Sequence, residues 1–289
     1  MLILPPHFEK AFPGSRDIFT RIFNIEGTVF REVAGRRTLQ FSCEGKPYFL
    51  KTHSGVGWKE IFKNLLQFKW PVLGARQEWE ASHRLNELGI ATPIPVGFGC
   101  RGKNPAHQQS FLITEDLGES LTLEELLARW RWSKTSGREY LKLKWTFIQA
   151  VATIARTMHQ HGMNHCDFYL CHLRIKRENL LSNGLRPSAP LFVMDLHRAQ
   201  IRKKTPPRWI VKDLGALLFS CLPFGITTQD QCRFLKVYAG MSLRDAFNTQ
   251  GKLWNRVQRR ARRMYDKHGA PQLRAGLLGP TAENLHEPT

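Results

Sequence analysis

Three polar side chains stand close together in an otherwise apolar stretch, and their types are those that move protons or bind metal ions. The stretch is 162–173, and it contains His165, Asp167 and His172. Gly162 follows a long helical pattern, at the place where a helix C-terminus favours a left-handed residue. A buried segment carries imidazole and carboxylate groups where polar partners or a chemical use offset their desolvation. The spacing therefore predicts a functional loop around Asp167.

Three further charged residues give this loop a chemical context. Lys51 ends an aromatic strand pattern, Glu78 lies in a helix pattern, and Asp195 ends an apolar strand pattern. In protein-kinase-like phosphotransferases a strand lysine contacts phosphates and pairs with a helix glutamate, a loop aspartate is the base, and a strand-end aspartate holds the metal ion. Each residue alone has an ordinary structural explanation, and Glu80 competes with Glu78. The order along the chain, taken together, favours a phosphotransferase.

The elements that must position these residues form a small sheet followed by a largely helical region. Alternation and turn residues predict strands at 28–33, 38–43, 48–52, 94–98, 111–114 and 191–195. Apolar spacing of three and four predicts helices at 58–70, 75–88, 121–132, 139–161, 209–221, 229–238 and 252–267. We therefore expect an α+β, protein-kinase-like two-lobe fold with a β-rich N-lobe, a larger helical C-lobe and a flexible tail, bounded at 1–117, 118–268 and 269–289.

The overall charge restricts the kind of partner. The 289 residues include 43 Lys and Arg against 24 Asp and Glu, a formal net charge of +19. Such a surface attracts nucleic acid, anionic lipid, a phosphorylated substrate or an acidic protein. The chain has nothing like an RNP motif, a zinc finger or a basic zipper, so no nucleic acid is expected. The six cysteines form no C-x-x-C pair, which favours reduced thiols in a cytosolic protein.

Four segments carry a resemblance to a known family: 55–58 (GVGW), 71–79 (PVLGARQEW), 164–172 (NHCDFYLCH) and 195–200 (DLHRAQ). They resemble the lipopolysaccharide core heptose(I) kinases of the kinase-like superfamily, over roughly residues 14–268. The resemblance implies ATP-dependent phosphorylation of the first heptose of the lipopolysaccharide inner core, with Mg²⁺. It implies that Asp167 is the catalytic base and Asp195 the metal ligand.

The same resemblance assigns further roles. The residues expected at the nucleotide are Lys51, Glu78, Gly35, Arg36 and Glu115. Gly35 and Arg36 stand where protein kinases have a glycine-rich loop, so arginine is expected to assist phosphate contact. His172 stands at the place of a second metal ligand, but Mg²⁺ prefers oxygen, and a hydrogen bond within the loop suits it better. His165 and Asp213 are expected to support the loop without touching substrate.

The segment after Asp195 points to the acceptor. It is too short, before the helix residue Asp213, to hold the long activation segment on which protein kinases dock peptides. A sugar or small-molecule hydroxyl therefore fits better than a peptide. The basic residues of this segment are predicted to clamp an acidic glycolipid, the lipopolysaccharide core and lipid A, with a solvated basic loop as the alternative: Arg198, Arg202, Lys203 and Lys204.

Two predicted basic amphipathic helices, 252–267 and 58–69, suit either an anionic lipid surface or packing within the protein. With no signal peptide or membrane-spanning run in the sequence, we expect a cytoplasmic protein, peripheral on the cytoplasmic face of the inner membrane. Other readings stay open. They are a kinase for a Kdo sugar, another small molecule or a protein tyrosine, a basic non-catalytic binding module, and an acidic protein partner.

Overall fold

The computed structural model describes residues 1–12, 17–33, 35–66, 74–132, 137–181, 184–185 and 189–269. Its α-helices are α1 (Pro6–Ala11), α2 (Ile18–Phe23), α3 (Gly57–Leu66), α4 (Arg76–Glu87), α5 (Leu123–Trp132), α6 (Gly137–Gln160), α7 (Pro207–Cys221), α8 (Thr228–Ala239) and α9 (Leu243–His268). Its strands are β1 (Leu2–Ile3), β2 (Thr28–Val33), β3 (Arg36–Cys43), β4 (Lys46–His53), β5 (Pro95–Arg101), β6 (Gln109–Glu115), β7 (Ser120–Thr122), β8 (Met163–Asn164), β9 (Leu173–Lys176), β10 (Leu180–Leu181), β11 (Gly184–Leu185), β12 (Phe192–Val193) and β13 (Gln200–Ile201).

The chain packs as two compact units that interleave along the sequence. The first comprises the described residues within 1–119, 161–166 and 190–203, and the second comprises those within 120–160, 167–189 and 204–269. The division predicted from the sequence, at residue 117, is a single cut and stays a prediction.

The first unit is built on an antiparallel sheet of six strands, in the order β1-β5-β6-β4-β3-β2. Helices α1 and α2 contribute to the core on one face, whose buried members include Phe8, Phe12, Phe19, Ile22, Leu39, Phe41, Leu50, Phe111 and Ile113. Successive side chains of a strand point to opposite faces, so Lys51 lies on the other face from Leu50 and shares it with His53. Leu112, opposite Lys51 in the register, packs there with Ala75 and Phe98.

Helix α4 is fixed to that second face of the sheet. The ring of Trp79 stacks on Phe98 with centroids 5.4 Å apart. At the start of the helix, the Ala75 N–H donates to the Ser110 Oγ of β6 at 3.0 Å. These contacts set the rotation of α4, so that Glu78 is buried against the sheet.

The second unit is mainly helical, with α6 packed on α8 and α7 packed on α9. Trp254 of α9 is 7% exposed and stacks on Phe234 of α8 at 6.0 Å. A buried ion pair joins Lys144 of α6 to Asp230 of α8 at 2.5 Å, and the Lys144 ammonium also donates to the Gly225 carbonyl at 3.1 Å. A capping pair lies at the start of α5, where the Thr122 N–H donates to the Glu125 Oε2 at 2.6 Å and the Glu125 N–H donates to the Thr122 Oγ1 at 3.0 Å.

Most predicted elements are confirmed within a few residues, and two differ. Helix α9 begins at Leu243 instead of 252, because the Ser242 Oγ accepts from the Asp245 N–H and caps an earlier start. The strand predicted at 191–195 is reduced to β12. The end of the helix predicted at 58–70 and all but Gly269 of the predicted tail lie outside the described residues. Among the helices that are described, none has a stretch long and apolar enough to cross a membrane.

Candidate active site

Lys51 and Glu78 form an ion pair in the first unit, as the sequence predicts. Strand β4 supplies the lysine and α4 supplies the glutamate, whose Oε1 contacts the lysine Nζ. Glu78 is 6% exposed. Burial lowers the pKa of Lys51, but the carboxylates of Glu78 and Asp195 outweigh it and the net pKa shift is upward. The lysine is therefore held charged and oriented.

The competing acid, Glu80, has a different partner. Its Oε1 lies 3.6 Å from the Arg76 Nε, and more than half of both side chains is exposed. Glu78 and Glu80 are two residues apart on the helix and so point to different sides of it. The choice of Glu78 for the lysine's partner is consistent with this geometry.

Asp195 begins a tight turn in the first unit. Its backbone is left-handed, with φ 60° and ψ 53°, and a 3₁₀ turn follows over Leu196–Arg198. The His197 Nδ1–H donates to the Asp195 Oδ1 at 2.6 Å. This bond orients the carboxylate, and the sequence reasoning missed it, although an Asp-x-His spacing after a strand is a signal that points to it.

His165 supports the segment that leads to this turn. It is fully buried, and its Nε2–H donates to the carbonyl of Met194, the residue before Asp195, at 2.9 Å. Cys166 follows with a left-handed φ of 72°, and its Sγ accepts from the Asn164 amide at 3.0 Å. The predicted supporting place of His165 is consistent with this position.

The four basic residues predicted to bind the acceptor differ in their exposure to solvent. Lys203 and Lys204 are exposed, whereas Arg198 and Arg202 are half-buried. The Arg202 guanidinium donates to the Asn164 Oδ1 at 2.7 Å, so this arginine is partly used to hold β8 and β13 together. It also lines a cavity of about 590 Å³ beside α4.

The turn between β2 and β3 needs glycine at position 35. Gly35 has φ +76°, and a Cβ there would lie 2.3 Å from the Gly55 carbonyl oxygen. The Gly35 carbonyl accepts from the Ser54 N–H at 2.9 Å, which ties this turn to the end of β4. Arg36, the next residue, pairs with His53 in the strand register.

His53 is a buried imidazole that the sequence reasoning missed. It is 6% exposed, and among the described residues its Nδ1 has no hydrogen-bond partner. Burial, together with the charges of Arg36, Lys51 and His197, lowers its pKa to about 3. The alternation of strand faces places it two residues from Lys51 on the same side, a signal available from the sequence. Arg31 also acts on Lys51, since its charge opposes the upward shift of the lysine pKa.

Asp167 lies in the second unit, half-buried at the start of a short loop. The His172 Nδ1–H donates to the Asp167 backbone carbonyl at 2.7 Å, and the Tyr169 N–H donates to the same carbonyl at 3.0 Å. The loop is tied to α7, because the Leu170 N–H donates to the Ser220 Oγ at 3.1 Å. His172 thus makes the bond within the loop that its type favours, and Ser220 is a further residue that the sequence did not indicate.

Asp213 is fully buried in α7 and belongs to a polar network in the second unit. The His159 Nε2–H donates to the Asp213 Oδ2 at 3.3 Å, and the Tyr238 hydroxyl bonds the other ring nitrogen at 2.9 Å. Burial and the Asp213 charge raise the pKa of Tyr238. Glu115, in the first unit, ends β6 with an exposed side chain, and its N–H donates to the Ile94 carbonyl at 2.9 Å.

The donor set of the first unit fits Mg²⁺ bound together with a nucleotide. Within the described part of the chain, no group of three or more His, Cys, Asp or Glu side chains could hold a metal ion by itself. Mg²⁺ is usually held by one or two carboxylates and by substrate phosphates, so the Asp195 carboxylate beside a charged Lys51 suits it. The His53 Nδ1, which has no hydrogen-bond partner in the part of the chain that the structure describes, is a further polar group on the side of the sheet that carries Lys51.

Comparisons with known proteins agree on one family. The model of the lipopolysaccharide kinase (Kdo/WaaP) family matches residues 21–238. The lipopolysaccharide core heptose(I) kinase WaaP of Pseudomonas aeruginosa is 42% identical over 266 residues, 92% of this chain and 96% of that protein. The protein of the same name from Escherichia coli K12 is 43% identical over 252 residues, 87% of this chain and 92% of that protein.

A solved structure supports the same assignment. The structure described as WaaP in complex with acyl carrier protein has a TM-score of 0.75 and 38% identity, covering 92% of this chain and 99% of that one. The predicted α+β, kinase-like fold class and the resemblance seen in the sequence are both confirmed. The chain therefore belongs to the lipopolysaccharide kinase (Kdo/WaaP) family.

Proposed function

We propose that this protein is an ATP-dependent kinase that phosphorylates the first heptose of the lipopolysaccharide inner core. The observation that carries the proposal is the ion pair of Lys51 and Glu78, with the Asp195 carboxylate acting on the same lysine. A half-buried strand lysine held charged by a buried helix glutamate is what phosphate contact requires. The names of relatives at 42–43% identity support heptose as the acceptor.

On this proposal the first unit binds the nucleotide. Lys51 contacts the phosphates of ATP, and Glu78 keeps its ammonium charged and in place. Arg36 adds a second cation, and Gly35 gives the turn the close backbone approach that a phosphate needs. Asp195, oriented by His197, would hold Mg²⁺, and the bound ion would supply positive charge to neutralise the transferred phosphoryl group.

The second unit supplies the base. Asp167 accepts the proton of the heptose hydroxyl through its carboxylate. Hydrogen bonds to the Asp167 backbone carbonyl fix the loop that carries this carboxylate. His172 positions this loop through the Asp167 carbonyl, and we assign it no metal. Asp213 and His165 support the surrounding chain from buried positions.

We place the acidic acceptor against the basic segment after Asp195. Arg198, Lys203 and Lys204 carry the charge that a glycolipid with carboxylates and phosphates attracts. Arg202 contributes less, because its guanidinium already bonds Asn164. With this acceptor, we propose that the protein works at the cytoplasmic face of the inner membrane.

A second partner is favoured by one comparison. The related WaaP structure is a complex with acyl carrier protein, and a chain of net charge +19 suits an acidic protein. We propose that this protein also binds an acidic protein of that kind.

The test is mass spectrometry of dephosphorylated core lipopolysaccharide after incubation with the protein, ATP and Mg²⁺. One added phosphate on the first heptose is expected, and Asp167→Asn, which keeps the shape of the side chain, should lower turnover about a hundredfold or more. Phosphate on a Kdo sugar, or on a peptide tyrosine instead, would replace the proposed acceptor. No phosphate on any acceptor would leave a basic binding module.

A further inference from the structure

Helix α3 exposes one apolar face. Trp58, Phe62 and Leu66 are 48%, 57% and 81% exposed. They are four residues apart, so they lie in one row along the helix. The rings of Trp58 and Phe62 are 5.8 Å apart and form a continuous surface. Three large apolar side chains in one exposed row mark a surface that is covered when the protein works.

The helix is nevertheless firmly attached to the first unit. Ile61 is 5% exposed and provides a buried contact on another side of the helix. The Gly57 N–H, at the first residue of α3, donates to the Ala106 carbonyl at 3.0 Å. The exposed row is therefore presented by an anchored helix and not by an unfolded segment.

Helix α9 has the same basic amphipathic sequence pattern as α3, but its apolar face is buried. Its apolar residues Trp254, Val257 and Ala261 are 7%, 0% and 2% exposed, because they pack inside the second unit. The apolar face of α9 is thus already covered by the protein. Of the two basic amphipathic helices that the sequence singled out, α3 is the one with an apolar face open to solvent.

The charges beside the row identify the occupant. Lys59 and Lys63 directly follow Trp58 and Phe62 in sequence, and both are exposed. Residues one apart lie about 100° apart around a helix, so these lysines flank the row. An aromatic and aliphatic row with flanking lysines is the arrangement of helices that lie in the interface of an anionic bilayer.

We propose that α3 docks the protein on the surface of an anionic membrane, with Trp58, Phe62 and Leu66 in the interface and lysine ammonium groups at the lipid phosphates. This rests on the proposed function, since a glycolipid acceptor is what the membrane would present. A soluble acidic protein is disfavoured as the occupant of α3, because lysine is depleted at protein–protein interfaces, whereas lysines beside an apolar row suit a lipid interface.

The test is co-sedimentation of the full-length protein with vesicles of phosphatidylglycerol and phosphatidylethanolamine, with phosphatidylcholine vesicles as the neutral reference. The double variant Phe62→Gln/Leu66→Gln removes two apolar side chains from the row and replaces them with glutamine, a good helix former. It should lower the partition coefficient for anionic vesicles at least about tenfold. Phe247→Gln, which removes a 45% exposed ring from α9, is the matched control and should stay within about twofold.

Two results would overturn the docking role of α3. One is vesicle binding by the double variant equal to the wild type; the other is no binding of the wild type to anionic vesicles at about 0.1 M salt. If the wild type does not bind anionic vesicles, an acidic protein replaces the membrane as the proposed partner of α3. Phosphorylation of the delipidated core oligosaccharide is measured in parallel. Its absence in the wild type would contradict the proposed function, whereas vesicle binding would be unaffected.

Discussion

Replacing Glu78 by glutamine tests the candidate site most sharply, because the change removes a charge and almost no volume. The Glu78 carboxylate contacts the Lys51 ammonium and is 6% exposed. In the variant, burial still lowers the pKa of Lys51, and the Asp195 carboxylate is left to oppose it. The lysine then keeps only a hydrogen bond to a neutral amide in place of a charge-assisted one, so it is held less firmly.

The size of the effect follows from the electrostatics of a partly exposed pair. Two unit charges about 4 Å apart attract by about 4 kcal/mol at an effective dielectric constant of 20. Solvent reaches 28% of the Lys51 side chain, which weakens this attraction, and the glutamine amide still accepts one bond. About 1.5–3 kcal/mol of net loss remains, the range for hydrogen bonds to charged groups. It corresponds to a decrease of about 10- to 150-fold in kcat/KM for ATP.

Glu80→Gln is the matched control. It lies on the same helix, two residues away, and 56% of its side chain is exposed beside Arg76. In Glu80→Gln, kcat/KM for ATP should stay within about twofold of the wild-type value. Thermal unfolding should confirm that both variants fold. Equal losses in the two variants, or an undiminished Glu78→Gln, would refute the assignment of Glu78.

Three further outcomes are expected. Lys144→Met leaves the buried Asp230 carboxylate without its ammonium, so urea unfolding should show a loss of about 3 kcal/mol in the free energy of unfolding. His53 stays neutral when folded, with a pKa of about 3, whereas the unfolded chain protonates it below about 6.5. The free energy of unfolding therefore decreases as pH falls from about 6.5 towards 3, by about 2 kcal/mol at pH 5. In His53→Gln, the free energies of unfolding measured at pH 7.5 and pH 5 should differ by less than in the wild type. Lys203→Gln/Lys204→Gln should raise the KM for core lipopolysaccharide, more so at low salt, and leave the KM for ATP unchanged. A change in the KM for ATP alone would contradict the proposal that these lysines bind the acceptor.

The pairing of Lys51 with Glu78 was predictable because two periodicities determine it. A strand repeats every two residues and a helix every 3.6, so each side chain's face follows from its neighbours. Glu78 shares its helix face with Ser82 and Leu85, which are buried, whereas Glu80 does not. Local patterning alone was therefore sufficient to choose between the two acids.

Contacts made by loops and by strand register were not predictable in the same way. His197 reaches Asp195 through a 3₁₀ turn, and Arg36 meets His53 across a strand pair. Neither contact is encoded in an apolar repeat, because the first depends on the path of the chain after β12 ends and the second on the register between β3 and β4. The early start of α9 was missed for a related reason, since its first turns depend on a cap at Ser242 and not on an apolar stripe.

Amphipathic helices show where sequence patterning stops being informative. The α3 and α9 segments both place tryptophan and aliphatic residues on one face and lysine or arginine beside it. That pattern states that an apolar face exists, and it says nothing of what covers the face. In α9 the rest of the second unit covers it, with Val257 fully buried, whereas in α3 Leu66 is 81% exposed. The difference arises from contacts with residues far away in the chain, and for this reason a membrane role can be argued for α3 and not for α9.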